Sequence, residues 1–342
     1  MATFSRPNRR EEKTVKEEFE SLLVGQPHVS EGILPFVEMF NAGLSPEGRP
    51  AGVFLLLGPT GTGKTRTVEA LAETLHSSSR HVLRVDCGEY QMDHEVAKLV
   101  GAPPGYLGHR ETQPLLSQTR VNSVASETNS LSIILFDEIE KAAPSMIRIL
   151  LGILDRGILR LGDNNLVNFE RTLIFMTSNL GSKRMQEELG TAMGFASVSA
   201  EDKQETEYKI LKSIGIAAAK KKFSPEFMNR IDSSIVYTPL DTKALSQILE
   251  LQLAVIQNHI DHRLGARSFE LDVTAKFKKF LIENGTSSAY GARELKRTIQ
   301  KYILQPLAGV INSGRIPPNA LVTMDTKTEG KILIKIQDEE LP

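Results

Sequence analysis

Gly52-Val53-Phe54-Leu55-Leu56-Leu57-Gly58-Pro59-Thr60-Gly61-Thr62-Gly63-Lys64-Thr65 decides the fold class of this chain. The apolar run Val53–Leu57 is far too short to span a membrane and suits a strand buried on both faces. The glycine-rich turn after it satisfies G-x-x-x-x-G-K-[ST] at every fixed position. Glycines there let backbone N–H groups converge on phosphate oxygens, and a helix opening near Lys64 adds its positive end. In that pattern Gly58, Pro59, Thr60, Gly61, Thr62 and Gly63 form the cradle. Lys64 reaches the β- and γ-phosphates, and the Thr65 hydroxyl takes a place on Mg²⁺. The stretch from Thr65 to His76 has apolar residues at helical spacing, so the motif sits between a strand and a helix, as its chemistry requires.

Working outward, Ile133-Ile134-Leu135-Phe136-Asp137-Glu138 reads as a second interior strand that ends on two carboxylates. Open α/β sheets bind ligands at the carboxyl ends of their strands. Asp137 fits a direct or indirect Mg²⁺ role, and Glu138 fits the base that polarises an attacking water. ATP and Mg²⁺ are therefore the expected ligands, and hydrolysis is expected rather than mere binding. Further strands are predicted at residues 81–86, 171–179 and 233–240, with helices over Gln113–Val124, Ser145–Leu154 and Lys203–Lys222. Short buried strands separated by helices predict an α/β fold, a parallel sheet flanked by helices. Beyond Pro239 the pattern becomes mostly helical, over Asp241–Arg263, Asp272–Asn284 and Ala292–Asn312, with two closing strands at Ala320–Met324 and Lys331–Ile336. The expected organisation is a charged lead-in over 1–20, a large ATPase domain over 21–239 and a small α+β lid domain over 240–342.

Charge excludes some partners. Lys and Arg total 41 against 42 Asp and Glu, so no global basic field draws the chain to nucleic acid or to anionic lipid. The sole cysteine, Cys87, cannot form an intramolecular disulfide and reads as a buried, inert thiol. The N-terminus has no apolar core of signal-peptide length, and the apolar runs are strand-sized. A cytoplasmic protein without membrane contact is expected.

These motifs carry a close resemblance to Clp-type AAA+ chaperones and unfoldases, specifically to the second ATPase module of the ClpB and ClpC group. It runs from about Phe19 to the C-terminus. The resemblance implies an AAA+ P-loop fold and a homo-oligomer, a hexamer promoted by ATP. By the same resemblance Val24 and Gly25, in FESLLVGQPHV, border the adenine; on the residues alone they read as a plain turn. Thr177-Ser178-Asn179 is similar to the sensor-1 motif, which gives Asn179 the task of orienting the lytic water. Residues 223–232 resemble the arginine-finger segment, so Arg230 would reach a neighbouring subunit's ATP. Tyr290-Gly291-Ala292-Arg293-Glu294-Leu295 matches sensor 2, which places Arg293 on ATP within its own subunit; read alone, it is an ordinary solvated arginine.

Gly101-Ala102-Pro103-Pro104-Gly105-Tyr106-Leu107-Gly108 forbids regular structure and displays Tyr106 and Leu107 on a loop. In the family this loop lines the central pore, where an aromatic ring grips an unfolded or aggregated polypeptide without reading its sequence. Met193-Gly194-Phe195 resembles the tripeptide by which some Clp ATPases dock on a ClpP-type peptidase, although a loop apolar pair packed on its own domain explains it as well. Some positions depart from the family: Asp155-Arg156-Gly157-Ile158 stands where DDGR is usual, Leu166 replaces an arginine, and Ala143 a histidine. Before Gly25 no substrate domain or first ATPase module is expected. Two other readings share the ATPase core: a nucleic-acid motor or loader, against which GYLG and the even charge argue, and an ATP-bound assembly scaffold, against which Glu138 argues.

Overall fold

A computed structural model describes residues 14–101, 114–191, 200–286, 291–326, 331–336 and 339–341. The chain divides into two compact units. The first comprises Met1–Leu57, Lys64–Leu180 and Gly215–Val236, and the second Gly58–Gly63, Gly181–Ile214 and Tyr237–Pro342.

The first unit is built on strands β1 (Gly52–Leu57), β2 (Leu83–Asp86), β3 (Ser132–Asp137), β4 (Ile158–Arg160), β5 (Leu166–Asn168), β6 (Thr172–Ser178) and β7 (Ser233–Val236). Five of them form one sheet in the order β2-β3-β6-β1-β7, with every neighbouring pair parallel. Central strands β1 and β6 are buried at every residue, and their apolar runs Val53–Leu57 and Leu173–Met176 suit a strand covered on both faces. The Phe54 and Phe175 rings stack at 4.8 Å between these strands. The helix Lys64–His76 buries Val68, Leu71, Ala72 and Leu75, the stripe its sequence spacing announces. The helix Pro144–Arg156 buries Met146, Leu150, Ile153 and Leu154, and it stops at Gly157, which takes the left-handed φ of 60°.

The second unit carries strands β8 (Glu270–Val273), β9 (Leu321–Thr326), β10 (Ile332–Ile336) and β11 (Glu339–Leu341) in the order β11-β10-β9-β8. Its core joins Leu249, Ile256, Phe277, Leu281, Leu295 and Ile303 of the helical segments to Val322 and Met324 of β9. The exposed edge of β8 is closed by one side chain. Gln257 donates from Nε2 to the Phe269 carbonyl and accepts from the Leu271 N–H at Oε1, both at 2.9 Å. An amide that copies a strand's pairing blocks edge-to-edge association.

The α/β class and the α+β character of the C-terminal part are as expected, and four local expectations need correction. The predicted helix over Asp272–Asn284 begins only at Ala275, because Glu270–Val273 pairs with β9 as a strand. Over Gln113–Val124 the described helix is confined to Gln118–Asn122. The β4–β5 hairpin and the short β11 were not anticipated; their three-residue strands are too brief to show a period. The helix expected over Ala292–Asn312 is continuous but passes through a π turn at Gln300–Leu304. Among the described residues no helix is long and apolar enough to cross a membrane.

At the end of the helix Lys64–His76, the buried His76 ring stacks on His81 at 5.4 Å, with Nδ1 2.8 Å from the Ser126 hydroxyl. Burial, and then the neighbouring His81, lower its pKa from 6.5 to about 4, against a smaller opposing effect of the Leu131 backbone. The unfolded chain therefore takes up this proton first as pH falls. Stability contributed by the neutral ring is complete above about pH 6.5 and is lost between there and about pH 4. Urea unfolding at pH 7 and pH 4.5 should differ by on the order of 3 kcal/mol more in the parent than in His76→Gln. An equal pH dependence in the two proteins would show that His76 does not carry it.

Candidate active site

Because the five strands of the first unit's main sheet are all parallel, the carboxyl ends of β1, β3 and β6 lie along one edge. β1 leads there into the phosphate-loop sequence, whose helix starts at Lys64. β3 ends on Asp137, followed by Glu138 in the left-handed region at φ 55°. β6 ends on Ser178, followed by Asn179. The register pairs Phe136 with Met176, which sets Asp137 beside Thr177.

Hydrogen bonds join these residues into one cluster. The fully enclosed Thr177 hydroxyl donates to Asp137 Oδ1 and accepts the Glu138 N–H at 3.0 Å. One threonine thus fixes both acids. The buried Lys64 ammonium donates to Asn179 Oδ1 at 2.9 Å, and Asn179 Nδ2 lies 3.5 Å from Glu138 Oε1. A single amide therefore links the Lys64 ammonium to the Glu138 carboxylate. The backbone of Asn179 is held in turn by Glu140, whose Oε1 accepts its N–H at 3.1 Å. Lys141 Nζ bonds Glu138 Oε2, and this hydrogen bond and the carboxylate's charge hold the lysine above its usual pKa. Cys87 is buried nearby; burial first, then Asp86, Asp137, Glu140 and Glu138, push its thiol well above the usual range. A thiol held in its neutral form is a poor nucleophile.

Thr65 and Asp137 offer a hydroxyl and a carboxylate, hard oxygen donors of the kind Mg²⁺ prefers. Among the described residues no group of three or more His, Cys, Asp and Glu is placed to hold a metal by itself.

In the second unit, Thr62 Oγ1 donates to the Pro59 carbonyl at 2.9 Å, pinning the phosphate loop on itself. The helix Ala292–Ile299 is tied to the same loop, since the Ala292 N–H donates to the Gly61 carbonyl at 3.0 Å. Gly291, at φ 48°, has no room for a side chain: a Cβ there would come within 2.8 Å of that carbonyl oxygen. Arg293 is therefore the second residue of a helix whose start is bonded to the phosphate loop, and its side chain is exposed.

Other predicted residues lie elsewhere. Val24 and Gly25 form the turn between the helices Val15–Leu22 and His28–Asn41. Arg230 does not join the hydrogen-bonded cluster; its Nη2 is 2.8 Å from Asp155 Oδ1. Tyr106, Leu107 and Met193-Gly194-Phe195 lie outside the described residues, as does Tyr290. Sequence reasoning left Thr177, Glu140 and Lys141 without roles. Lys141, one helical turn past Glu138, was legible in principle. Thr177 needed the strand register, and Glu140 the fold.

The family model for the AAA domain (Cdc48 subfamily) matches residues 49–234, more than half of the chain. This chain belongs to the AAA family of ATPases. A second family model, for the C-terminal, D2-small domain of ClpB protein, matches residues 240–324. Together they bear out the resemblance to a ClpB-type second AAA module. Among similar proteins, chaperone protein ClpB of Lactococcus lactis subsp. lactis (strain IL1403) is 38% identical over 315 residues, 92% of this chain and 34% of the relative. The ATP-dependent Clp protease ATP-binding subunit ClpA homolog of Pyropia yezoensis is 34% identical over 325 residues, 95% of this chain and 38% of the relative. A closed-state cryo-EM reconstruction of Hsp104 with ATPγS and FITC-casein superposes with a TM-score of 0.76 at 28% identity, covering 95% of this chain and 51% of that one. This AAA chain thus spans about a third of the length of the curated relatives it matches.

Proposed function

We propose that this chain hydrolyses ATP with Mg²⁺ and, assembled by ATP into a hexameric ring in the cytoplasm, uses the cycle to unfold and translocate unfolded or aggregated proteins. The observation that carries the reading is the Lys64–Asn179–Glu138 chain beside Asp137, which unites a phosphate-binding cation, a water-orienting amide and a base at one sheet edge. Gly58 to Gly63 supply backbone donors to the phosphates, Lys64 binds the β- and γ-oxygens, and Val24 and Gly25 border the adenine. Thr65 and Asp137 would hold the metal, which when bound neutralises charge developing on the phosphates. Asn179 orients the water, and Glu138 takes its proton. Arg293, on the helix tied to Gly61, senses nucleotide within the subunit, while Arg230 acts on a neighbour's nucleotide.

Tyr106 and Leu107 grip the polypeptide, and Met193-Gly194-Phe195 is the segment that would meet a ClpP-type peptidase. Tyr106→Ala should retain basal ATP turnover to within about twofold and stop the processing of a folded protein carrying an unstructured tail, because grip and hydrolysis use different residues. Normal processing by that variant would remove the pore assignment. The overall reading is tested by comparing ATP turnover with an unfolded protein and with single-stranded DNA: stimulation by protein is expected, and stronger stimulation by DNA would point instead to a nucleic-acid motor.

A further inference from the structure

Arg230 is held more tightly than a surface arginine needs to be. On its N-terminal side the short helix Pro225–Met228 is capped by Ser224 and anchored by the buried Phe227, which packs on Phe223 at 5.0 Å. On its C-terminal side Asp232 is locked to β1: its N–H donates to the Val53 carbonyl, its Oδ2 accepts the Val53 N–H, each at 2.9 Å, and Oδ1 pairs with Arg49 at 2.8 Å. The backbone on either side is thus fixed, leaving the arginine's side-chain torsions to be set. Asp155 is the acidic group that meets the guanidinium, through a 2.8 Å contact to Nη2, while Nε is enclosed and has no hydrogen-bond partner. An arrangement chosen to satisfy the guanidinium would not strand Nε.

Asp155 is also an odd choice for its own helix. It sits in the last turn of Pro144–Arg156, where the helix dipole disfavours an anion. The same helix begins three residues beyond the Lys141 that bonds Glu138, and at about 1.5 Å per residue its thirteen residues bridge about 20 Å. Its core-facing side chains are buried along its whole length, so it is a stiff strut from the base to the arginine.

We propose that Asp155 is a positioning residue for Arg230: its carboxylate aims the guanidinium at the neighbouring subunit's nucleotide, and the helix Pro144–Arg156 ties that aim to the Glu138 end of the same subunit. The inference rests on the reading of Arg230 as an arginine that acts in trans. Losing the aim without losing the cation should cost about tenfold to a hundredfold in kcat. ATP KM should change little, since the subunit's own binding groups are untouched.

The test uses the full chain. Asp155→Asn should lower kcat by about that factor with KM and thermal midpoint nearly unchanged, and Asp155→Glu should recover most of the activity. The decisive measurement mixes subunits. Asp155→Asn carries a sound hydrolytic site and a misaimed arginine, whereas Glu138→Gln carries the reverse. Mixed rings should recover turnover that neither variant shows alone, as should mixtures of Arg230→Ala with Glu138→Gln. If the Arg230→Ala mixture recovers and the Asp155→Asn mixture does not, Asp155 acts within its own subunit and the proposal is overturned while the trans arginine stands. If neither recovers, the trans reading of Arg230 fails, and the proposal with it. Wild-type or raised turnover in Asp155→Asn also overturns it, the more so if Asp155→Ala behaves alike.

Discussion

Arg230→Ala is expected to lower ATP turnover by about 10³–10⁵-fold, the range a trans guanidinium is worth in other nucleotide hydrolases. The charge that accumulates on a transferring phosphoryl group needs a donor placed before the reaction, since reorganisation during the step would itself raise the barrier. Arg230 suits that part because its main chain is anchored to β1 through Asp232 and its side chain meets Asp155, rather than joining the Lys64–Asn179–Glu138 cluster of its own subunit. Two consequences separate this from a structural role. The affinity for a fluorescent ATP analogue should stay within a few-fold of the parent, because Lys64 and the phosphate loop remain. Turnover per subunit in the parent should rise with protein concentration as assembly proceeds. Turnover that is full at the lowest concentrations, and unaffected by Arg230→Ala, would mean that each chain completes its own site.

The candidate phosphate-binding residues stand out in the sequence because that chemistry requires both a residue type and a spacing. Gly58 to Thr65 and the Asp137-Glu138 pair each follow an apolar run, and the fold places them at the ends of adjacent or near-adjacent parallel strands. β3 and β6 were readable for the same reason: a strand buried on both faces leaves an unbroken apolar word. Elements without such a word escaped. Glu270–Val273 reads as the start of a helix until its pairing with β9 is known, because a four-residue strand shows only two periods. The β4–β5 hairpin is shorter still.

Within the site, what escaped was whatever depends on register between distant segments. Thr177 and Asp137 are 40 residues apart, and only the parallel pairing of β3 with β6 brings the hydroxyl to the carboxylate. Asp155 and Arg230 are likewise joined by the fold alone. Asn179, Arg230 and Arg293 came from a family resemblance. Physical reading without it leaves Arg293 an ordinary helix residue, and the bond from Ala292 to Gly61 is the observation that gives its helix a link to the phosphate loop.

Glu138→Gln should lower turnover by about 10²–10⁴-fold while nucleotide binding persists, the cost of removing a general base and little else. The amide keeps the shape of the carboxylate and can still meet Asn179, but it cannot accept the proton of the attacking water. Lys64, Thr65, Asp137 and the Thr177 clamp that orients it are all retained, so the binding groups survive. One contact does change: the Lys141 ammonium loses the anion that holds its pKa up. Since Lys141 is exposed and Glu138 is only partly buried, the effect on folding should be small. With hydrolysis blocked, ATP should stay at the subunit boundary where Arg230 is proposed to contact it, and the ring should accumulate. Light scattering coupled to size exclusion, with and without ATP, is expected to show a long-lived hexamer for Glu138→Gln and a shorter-lived one for the parent. Full hydrolysis by Glu138→Gln would move the base elsewhere in the cluster, with Glu140, bonded to the Asn179 backbone, the nearest carboxylate to examine.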